Sequence, residues 1–277
     1  MDVLAARTTA GRAGVAAILA DPGRALLAFD YDGTLAPIVA DPRRAYPHPR
    51  VVPALVALSA QVGRVAVITG RPAAVAVELA GLADVSGLDG LVVVGHYGME
   101  RWDAASGRLQ TTQPPAGLDR VRAVLPGMLA SLGAGGADIE DKGLSVAVHV
   151  RRLDAREQVY ASIAGPVAEL AAEHGLTAEP GRYVVEVRPP GMDKGRALRA
   201  LFEETASHSV GFAGDDLGDL AAFDEVVRLR TAGHPGLLVC SGSDEVEVLR
   251  QRADLVVDGP GGVAQWVEGL VDTLLTR

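Results

Sequence analysis

Ala25-Leu-Leu-Ala-Phe-Asp-Tyr-Asp-Gly-Thr-Leu35 decides how this chain folds. Its first five residues are apolar without alternation, the pattern of a strand covered on both faces. The run ends on Asp30 and Asp32, two residues apart, with Gly33 behind them. Open α/β sheets place their ligands at such strand ends. Two carboxylates this close repel unless a cation or a shared proton relieves them. A turn at Gly33 can aim both at one cavity. An Asx turn is the plainer reading of Asp-x-Asp-Gly; the full six-residue string from Asp30 to Leu35 favours a site.

Outward from this stretch, the same kind of run recurs at Arg64–Gly70, Leu91–Gly95, Val210–Gly214, Gly236–Cys240 and Asp254–Asp258. Helical stretches lie between them, at Val51–Val62, Pro72–Leu82, Lys194–Glu204 and Leu217–Arg228. Strands alternating with helices predict an α/β fold, a doubly wound Rossmann-like parallel sheet. The middle of the chain differs. Leu144–Arg151 and Arg182–Arg188 alternate apolar with polar, as strands with one packed and one wet face do. In Arg182–Arg188, Glu186 falls on the face opposite Tyr183, Val185 and Val187. Asp154 is placed to cap a helix that runs to His174 and stops at Gly175, and a second helix is expected at Leu118–Leu132. These readings predict an inserted α+β domain at 105–190 between core segments 1–104 and 191–277. Residues 1–20 read as an amphipathic helix leaning on that core.

Three further motifs sit at expected strand ends. Thr69-Gly-Arg-Pro72 offers a hydroxyl and backbone N–H groups at a helix start, an anion site, although ordinary capping explains it equally well when taken alone. In Asp193-Lys-Gly195, Asp193 suits an N-cap, whereas a cation such as Lys194 is disfavoured there unless an anion is bound. Gly214-Asp-Asp-Leu-Gly-Asp219 brings Asp215, Asp216 and Asp219 together, which suggests oxygen ligands for a hard cation rather than a solvated acidic loop.

Composition bounds the partners. The chain has 277 residues, 26 basic and 35 acidic, for a formal charge of -9. With no basic run, nucleic acid is not an expected partner. No stretch is long and apolar enough to span a bilayer. A single cysteine, Cys240, excludes an internal disulfide and fits a reducing, cytoplasmic setting. A small anionic substrate remains compatible, and the expected assembly is a monomer or small homo-oligomer.

In order along the chain, Asp-x-Asp-Gly-Thr-Leu, Thr-Gly-Arg, Lys and Gly-Asp-Asp resemble the phosphatases of the haloacid dehalogenase (HAD) superfamily. Within it, Gly95–Glu100, Glu140–Lys142, Ser145, His149–Arg151 and Glu186–Pro189 are similar to the pattern of the trehalose-6-phosphate phosphatases. The resemblance implies a Mg2+-dependent HAD core with an α+β cap and a sugar phosphate as substrate. It implies Asp30 as nucleophile, Asp32 as acid and base, and Thr69 and Lys194 on the phosphoryl oxygens. Asp30, Asp32 through its carbonyl, and Asp215 would hold the metal, adjusted by Asp216 and Asp219. Gly70, Lys142, His149, Arg151 and Glu186 would bind substrate, and Arg71 would either join them or brace its motif. Tyr97 stands where the family usually has His, Val150 where it has an aromatic, and Gly218-Asp219-Leu220 replaces a more acidic continuation. The carboxylates themselves are kept. A glycosyl-phosphoglycerate or sucrose-phosphate phosphatase is the neighbouring alternative. An inactive binding homologue is disfavoured because Asp30, Asp32, Lys194 and Asp215 are all present; a response regulator would leave the insert unexplained.

Overall fold

A computed structural model describes residues 4–181, 183–242 and 247–277. Its strands are β1 (Ala25–Phe29), β2 (Arg64–Ile68), β3 (Leu91–Gly95), β4 (Glu100–Asp103), β5 (Arg108–Thr111), β6 (Asp138–Asp141), β7 (Val146–His149), β8 (Thr177–Gly181), β9 (Val184–Arg188), β10 (Ser209–Gly214), β11 (Gly236–Ser241) and β12 (Leu255–Val257). The α-helices are α1 (Thr9–Ala20), α2 (Val51–Ser59), α3 (Ala73–Ala80), α4 (Leu118–Ser131), α5 (Arg156–Glu173), α6 (Lys194–Glu204), α7 (Leu220–Thr231), α8 (Glu247–Arg252) and α9 (Gly259–Leu275). Two compact units result, Met1–Gln110 with Asp193–Arg277, and Thr111–Met192. Among the described residues no helix is long and apolar enough to cross a membrane.

The first unit is built on a sheet of order β12-β11-β10-β1-β2-β3-β4-β5. The six strands from β12 to β3 in that order are parallel. Their apolar runs are explained by burial on both faces. Leu27 and Phe29 of β1 join one hydrophobic cluster with Ile18, Leu55 and Trp266, while Leu26 and Ala28 join the other with Leu198, Phe202 and Phe223. Helices therefore cover the sheet on both sides, as the unbroken apolar runs require. From β1 the chain moves outward to β2 and β3, then returns to β10 on the other side of β1. The strand order thus reverses between β1 and β10, which opens a crevice at their carboxyl ends.

Strands β4 and β5 are not apolar runs and no strand was expected at either; β4 lies in the expected core segment and β5 in the expected insert. They extend the main sheet instead, β4 antiparallel to β3. Because all of Arg108–Thr111 is exposed, the hairpin leaves no burial pattern to read. The division between units accordingly falls after Gln110 rather than at 105, and before Asp193 rather than after 190.

The second unit is a four-stranded antiparallel sheet of order β6-β7-β9-β8. Val146, Val148, Val185 and Val187 pack on Leu125, Leu129, Ile163 and Val167 of α4 and α5. Neither polar edge strand, β6 or β8, was predicted. Arg182, the first residue of the expected Arg182–Arg188 run, lies outside the described residues. Tyr183 takes a left-handed turn, φ 59°, and β9 starts after it. Asp154 does not cap α5: Ala155 occupies that position at φ 52° without a side-chain bond. Residues 1–3 of the expected N-terminal helix likewise lie outside the described residues; α1 begins at Thr9, and the Thr8 side chain accepts from Gly11 N. The expected helix from Leu217 opens instead as a 3-10 turn, Leu217–Asp219, because Asp216 and Asp219 form a capping box there.

Candidate active site

Asp30 follows the last residue of β1, and its N–H donates to Ala213 O of β10 at 2.8 Å. The chain then turns at Gly33, φ 76°, with Gly33 N donating to Ala36 O at 2.7 Å. Any side chain at Gly33 would collide with Asp215, since a Cβ would lie 1.9 Å from Asp215 Oδ2. The close approach brings the ends of β1 and β10 together. Ser241, at the end of β11, donates from Oγ to Gly33 O at 2.7 Å and holds the turn from the other side. Nothing in the sequence signalled Ser241.

Lys194, first residue of α6, reaches into this crevice. Its Nζ lies 2.5 Å from Asp30 Oδ1 and 2.7 Å from Asp219 Oδ1. Asp193 caps the same helix, its side chain accepting from Arg196 N at 2.8 Å. Asp219 Oδ2 accepts from Asp215 N at 2.8 Å and from Asp216 N at 3.1 Å, so the turn after β10 is wound around that carboxylate. Asp215 accepts a long bond from Thr34 Oγ1, 3.4 Å. Asp30, Asp215 and Asp219 are buried and can each bring an oxygen within 4.8 Å of the others. Asp216 is exposed and serves the turn, accepting from Gly218 N at 2.9 Å.

The charges do not balance. Three buried carboxylates share one lysine. Burial pushes the Asp30 carboxyl well above the usual range, against the pull of Lys194, and neighbouring Asp219 and Asp215 add to the rise. Burial, then Asp219 and Asp216, push Asp215 up to about 8. Asp219 is also raised by burial. Burial disfavours the Lys194 ammonium, but Asp219 and Asp30 outweigh it and hold its pKa well above the ordinary lysine value. An excess of buried negative charge on oxygen donors is the environment a hard divalent cation relieves.

Asp32 points elsewhere. Arg71 forks onto it, Nε to Oδ2 and Nη2 to Oδ1, both at 2.6 Å, with its guanidinium 5.5 Å from the centre of the Tyr31 ring. Of the two roles open to Arg71, on substrate or bracing its motif, this contact is a bracing one, on the second carboxylate of the first motif. Thr69 is buried at the end of β2, and its Oγ1 accepts from Arg71 N at 3.1 Å. That bond uses the hydroxyl as an acceptor and leaves its proton to donate. Gly70 lies between these two, in the turn.

In the second unit, Glu140, Ala147, Glu186 and Glu179 form one row across the sheet, on the face away from its helices. Glu186 is buried there, and its Oε1 accepts from Ser145 Oγ at 2.6 Å and Lys142 Nζ at 3.2 Å. His149 Nε2 pairs with Glu140 Oε2 at 2.8 Å. Arg151 lies in the exposed turn after β7. Lys142, Glu186 and Ser145 are therefore one cluster, joined to a row that also carries Glu140.

The family model for trehalose-phosphatase matches residues 28–253. The chain belongs to the trehalose-phosphatase family. A trehalose-phosphate phosphatase of Mycobacterium marinum is 32% identical over 258 residues, covering 90% of this chain and 62% of that protein. One from Mycobacterium tuberculosis is 30% identical over 254 residues, covering 89% and 61%. The chain spans about three fifths of the length of these curated relatives. Among solved structures, the C-terminal domain of the trehalose-6-phosphate phosphatase of Candida albicans aligns with TM-score 0.76 at 20% identity, covering 96% of this chain and 97% of that one. An Aspergillus fumigatus trehalose-6-phosphate phosphatase aligns with TM-score 0.68 at 24% identity, covering 94% and 97%. The fold is α/β with a parallel-sheet core, shared with a haloacid dehalogenase-like hydrolase from Bacteroides thetaiotaomicron, TM-score 0.57 at 18% identity. The trehalose-phosphatase family falls in the metal-dependent HAD phosphatase class, and the buried carboxylates supply a matching donor set.

Proposed function

We propose that this chain is a Mg2+-dependent phosphatase that hydrolyses trehalose 6-phosphate to trehalose and phosphate. The observation that carries the chemistry is the convergence of Asp30, Asp215 and Asp219 with Lys194 at the ends of β1 and β10. Family membership, and relatives named as trehalose-phosphate phosphatases, support the substrate. The single buried thiol, Cys240, fits a cytoplasmic setting.

Asp30, Asp215 and the Asp32 carbonyl would hold Mg2+, with Asp219 and Asp216 adjusting those ligands. When bound, the ion supplies the positive charge that lets an anionic nucleophile approach an anionic phosphate. Asp30 attacks phosphorus as the bond to the sugar oxygen breaks, leaving an aspartyl-phosphate. Asp32 gives its proton to the departing alkoxide. It then takes a proton from the water that attacks the aspartyl-phosphate, which releases phosphate and restores Asp30. The Thr69 hydroxyl, the Gly70 N–H and Lys194 hold the phosphoryl oxygens as charge shifts. Arg71 holds Asp32 in place and would release one of its two oxygens for that oxygen to carry the proton. Lys142, His149, Arg151 and Glu186 bind sugar hydroxyls.

Asp32 can be tested by leaving group. Asp32→Asn is expected to slow phosphorylation by a sugar phosphate about 10²- to 10³-fold but by p-nitrophenyl phosphate less than about tenfold, because nitrophenolate leaves without a proton. Rapid-quench measurement of the first turnover checks this; equal losses on both substrates remove Asp32 from the acid role.

A substrate panel tests the sugar assignment. Phosphate release from trehalose 6-phosphate, sucrose phosphate, a glycosyl-phosphoglycerate and glucose 6-phosphate is measured with and without Mg2+. The phosphoryl group cannot distinguish trehalose 6-phosphate from glucose 6-phosphate, since both carry it on a primary carbon. Groups that bond the second ring reject a substrate that lacks it, so kcat/KM is expected to favour the disaccharide about 100-fold or more. Glu186→Ala should erase most of that ratio and leave p-nitrophenyl phosphate hydrolysis within about twofold. A wild type that prefers glucose 6-phosphate overturns the trehalose assignment and leaves the phosphatase one.

A further inference from the structure

The loop that carries Thr69 and Arg71 is held by a segment that the chemistry above does not use. Tyr97 N donates to Thr69 O at 3.1 Å, and His96 N donates to Arg71 O at 3.0 Å. These consecutive donors lie at φ 57° and 47°, the left-handed region that residues with a Cβ avoid. Such a conformation persists where the surroundings over-determine it, and it points to a constraint worth keeping. The Tyr97 side chain lies against Gly70, where a Cβ would come within 2.5 Å of the phenolic oxygen.

A third hold is the strongest. Ala73 N, the first N–H of α3, donates to Glu100 Oε2 at 2.7 Å. An N-cap side chain serves the second or third N–H of a helix, so the first donor needs a partner from elsewhere. Here the N-cap is Pro72, which has no side-chain acceptor, and the carboxylate comes from the first residue of β4 instead. A charged acceptor at a helix N-terminus also meets the positive end of the helix dipole. Residues 96, 97 and 100 therefore pin the loop from 69 to 73 at three points. Within that pinned loop the Thr69 hydroxyl is oriented by Arg71 N, and the Arg71 guanidinium is aimed at Asp32.

We propose that Glu100 is a positioning residue for phosphoryl transfer, fixing the start of α3 so that Thr69 and Arg71 stay aimed. The inference rests on the phosphatase reading of the site, and a double-mutant cycle separates the two. Glu100→Ala is expected to lower kcat/KM for p-nitrophenyl phosphate about 30-fold, mainly in kcat, because small misplacements of a binding loop cost that much. Glu100→Gln keeps an acceptor oxygen and should return activity to within about threefold of wild type. In a Thr69→Val background the same Glu100→Ala change should cost clearly less than the roughly 30-fold seen in wild type, keeping only the share that acts through Arg71. If Glu100→Ala does not fold, Glu100→Met keeps the volume without the acceptor and carries the same expectations. Losses that multiply independently of Thr69, a Glu100→Gln variant as impaired as Glu100→Ala, or a lower Tm with unchanged kcat overturn the positioning role. A wild type without phosphatase activity, or a fully active Thr69→Val, overturns the reading of the site and this inference with it.

Discussion

Asp30→Asn is expected to reduce steady-state phosphate release at least about 10⁴-fold, because an amide cannot form the phosphoryl-enzyme on which turnover depends. The fold should survive. Asn is nearly the same size, and the backbone bond from residue 30 to Ala213 O does not involve the side chain. Asp30 is buried beside Asp219 and Asp215, so its carboxyl is raised well above the ordinary range by burial even with Lys194 in contact. Removing a poorly tolerated carboxylate is expected to leave Tm unchanged or higher in the metal-free protein, the signature of a group kept for reaction rather than stability. Burst-phase labelling with radioactive phosphate should find a covalent adduct in the wild type and none in the variant. Turnover above about 1% in Asp30→Asn, with the intact mass excluding deamidation, rules out Asp30 as nucleophile.

Removal of divalent metal by a chelator is expected to abolish activity to below about 1%, and added Mg2+ to restore it, because ion-assisted charge stabilisation carries much of the barrier reduction. The carboxylates explain why. Without a cation, burial and mutual repulsion hold Asp215 up at about 8 and raise Asp30 and Asp219, so the proposed nucleophile is kept from the charged form that attack requires. The same shifts predict how stability follows pH. A carboxyl raised in the folded state contributes stability that is fully present below its ordinary value and is lost as pH rises through the folded value. For Asp215 that loss falls between the ordinary 3.8 and about 8. Metal-free protein should therefore lose Tm from pH 6 to pH 9, and Mg2+ should suppress the loss. At a hundredfold excess over Kd, binding adds about 2.7 kcal/mol, or about 5–10 °C in Tm for a chain of this size. A Mg2+-induced gain in Tm that shrinks toward pH 9, or full activity in chelator after verified metal removal, counts against the carboxylates as the metal site.

The parallel core was legible because its strands are buried on both faces. Leu26 to Phe29 and Leu91 to Val94 read as apolar runs, and each run of the main sheet from β12 to β3 formed a parallel strand. Strands at exposed positions were not legible. All of Arg108–Thr111 and Asp138–Asp141 faces solvent, so what makes these segments strands is the neighbour each pairs with. Local signals failed where the backbone chose a competing conformation: Ala155 and Tyr183 turn left-handed, which displaced a helix start from Asp154 and shortened β9.

The sequence by itself determined which residues gather at the strand ends where chemistry is proposed, because strand-end motifs pair a residue type with a turn and both are local. Asp30, Thr69, Lys194 and Asp215 were all identifiable from their flanking apolar runs and helix starts. Only the tertiary structure decided which of them touch. Arg71 reaches Asp32, 39 positions away. Ser145 and Glu186 meet across 41, and Ser241 holds Gly33 across 208. Asp219 joins Asp30 inside the buried cluster while Asp216 turns outward to its capping bond. These contacts depend on strand order and register, which place β10 beside β1 and β9 beside β7. Order and register are settled by burial and hydrogen bonding summed over whole sheets, and no local stretch of sequence contains that sum.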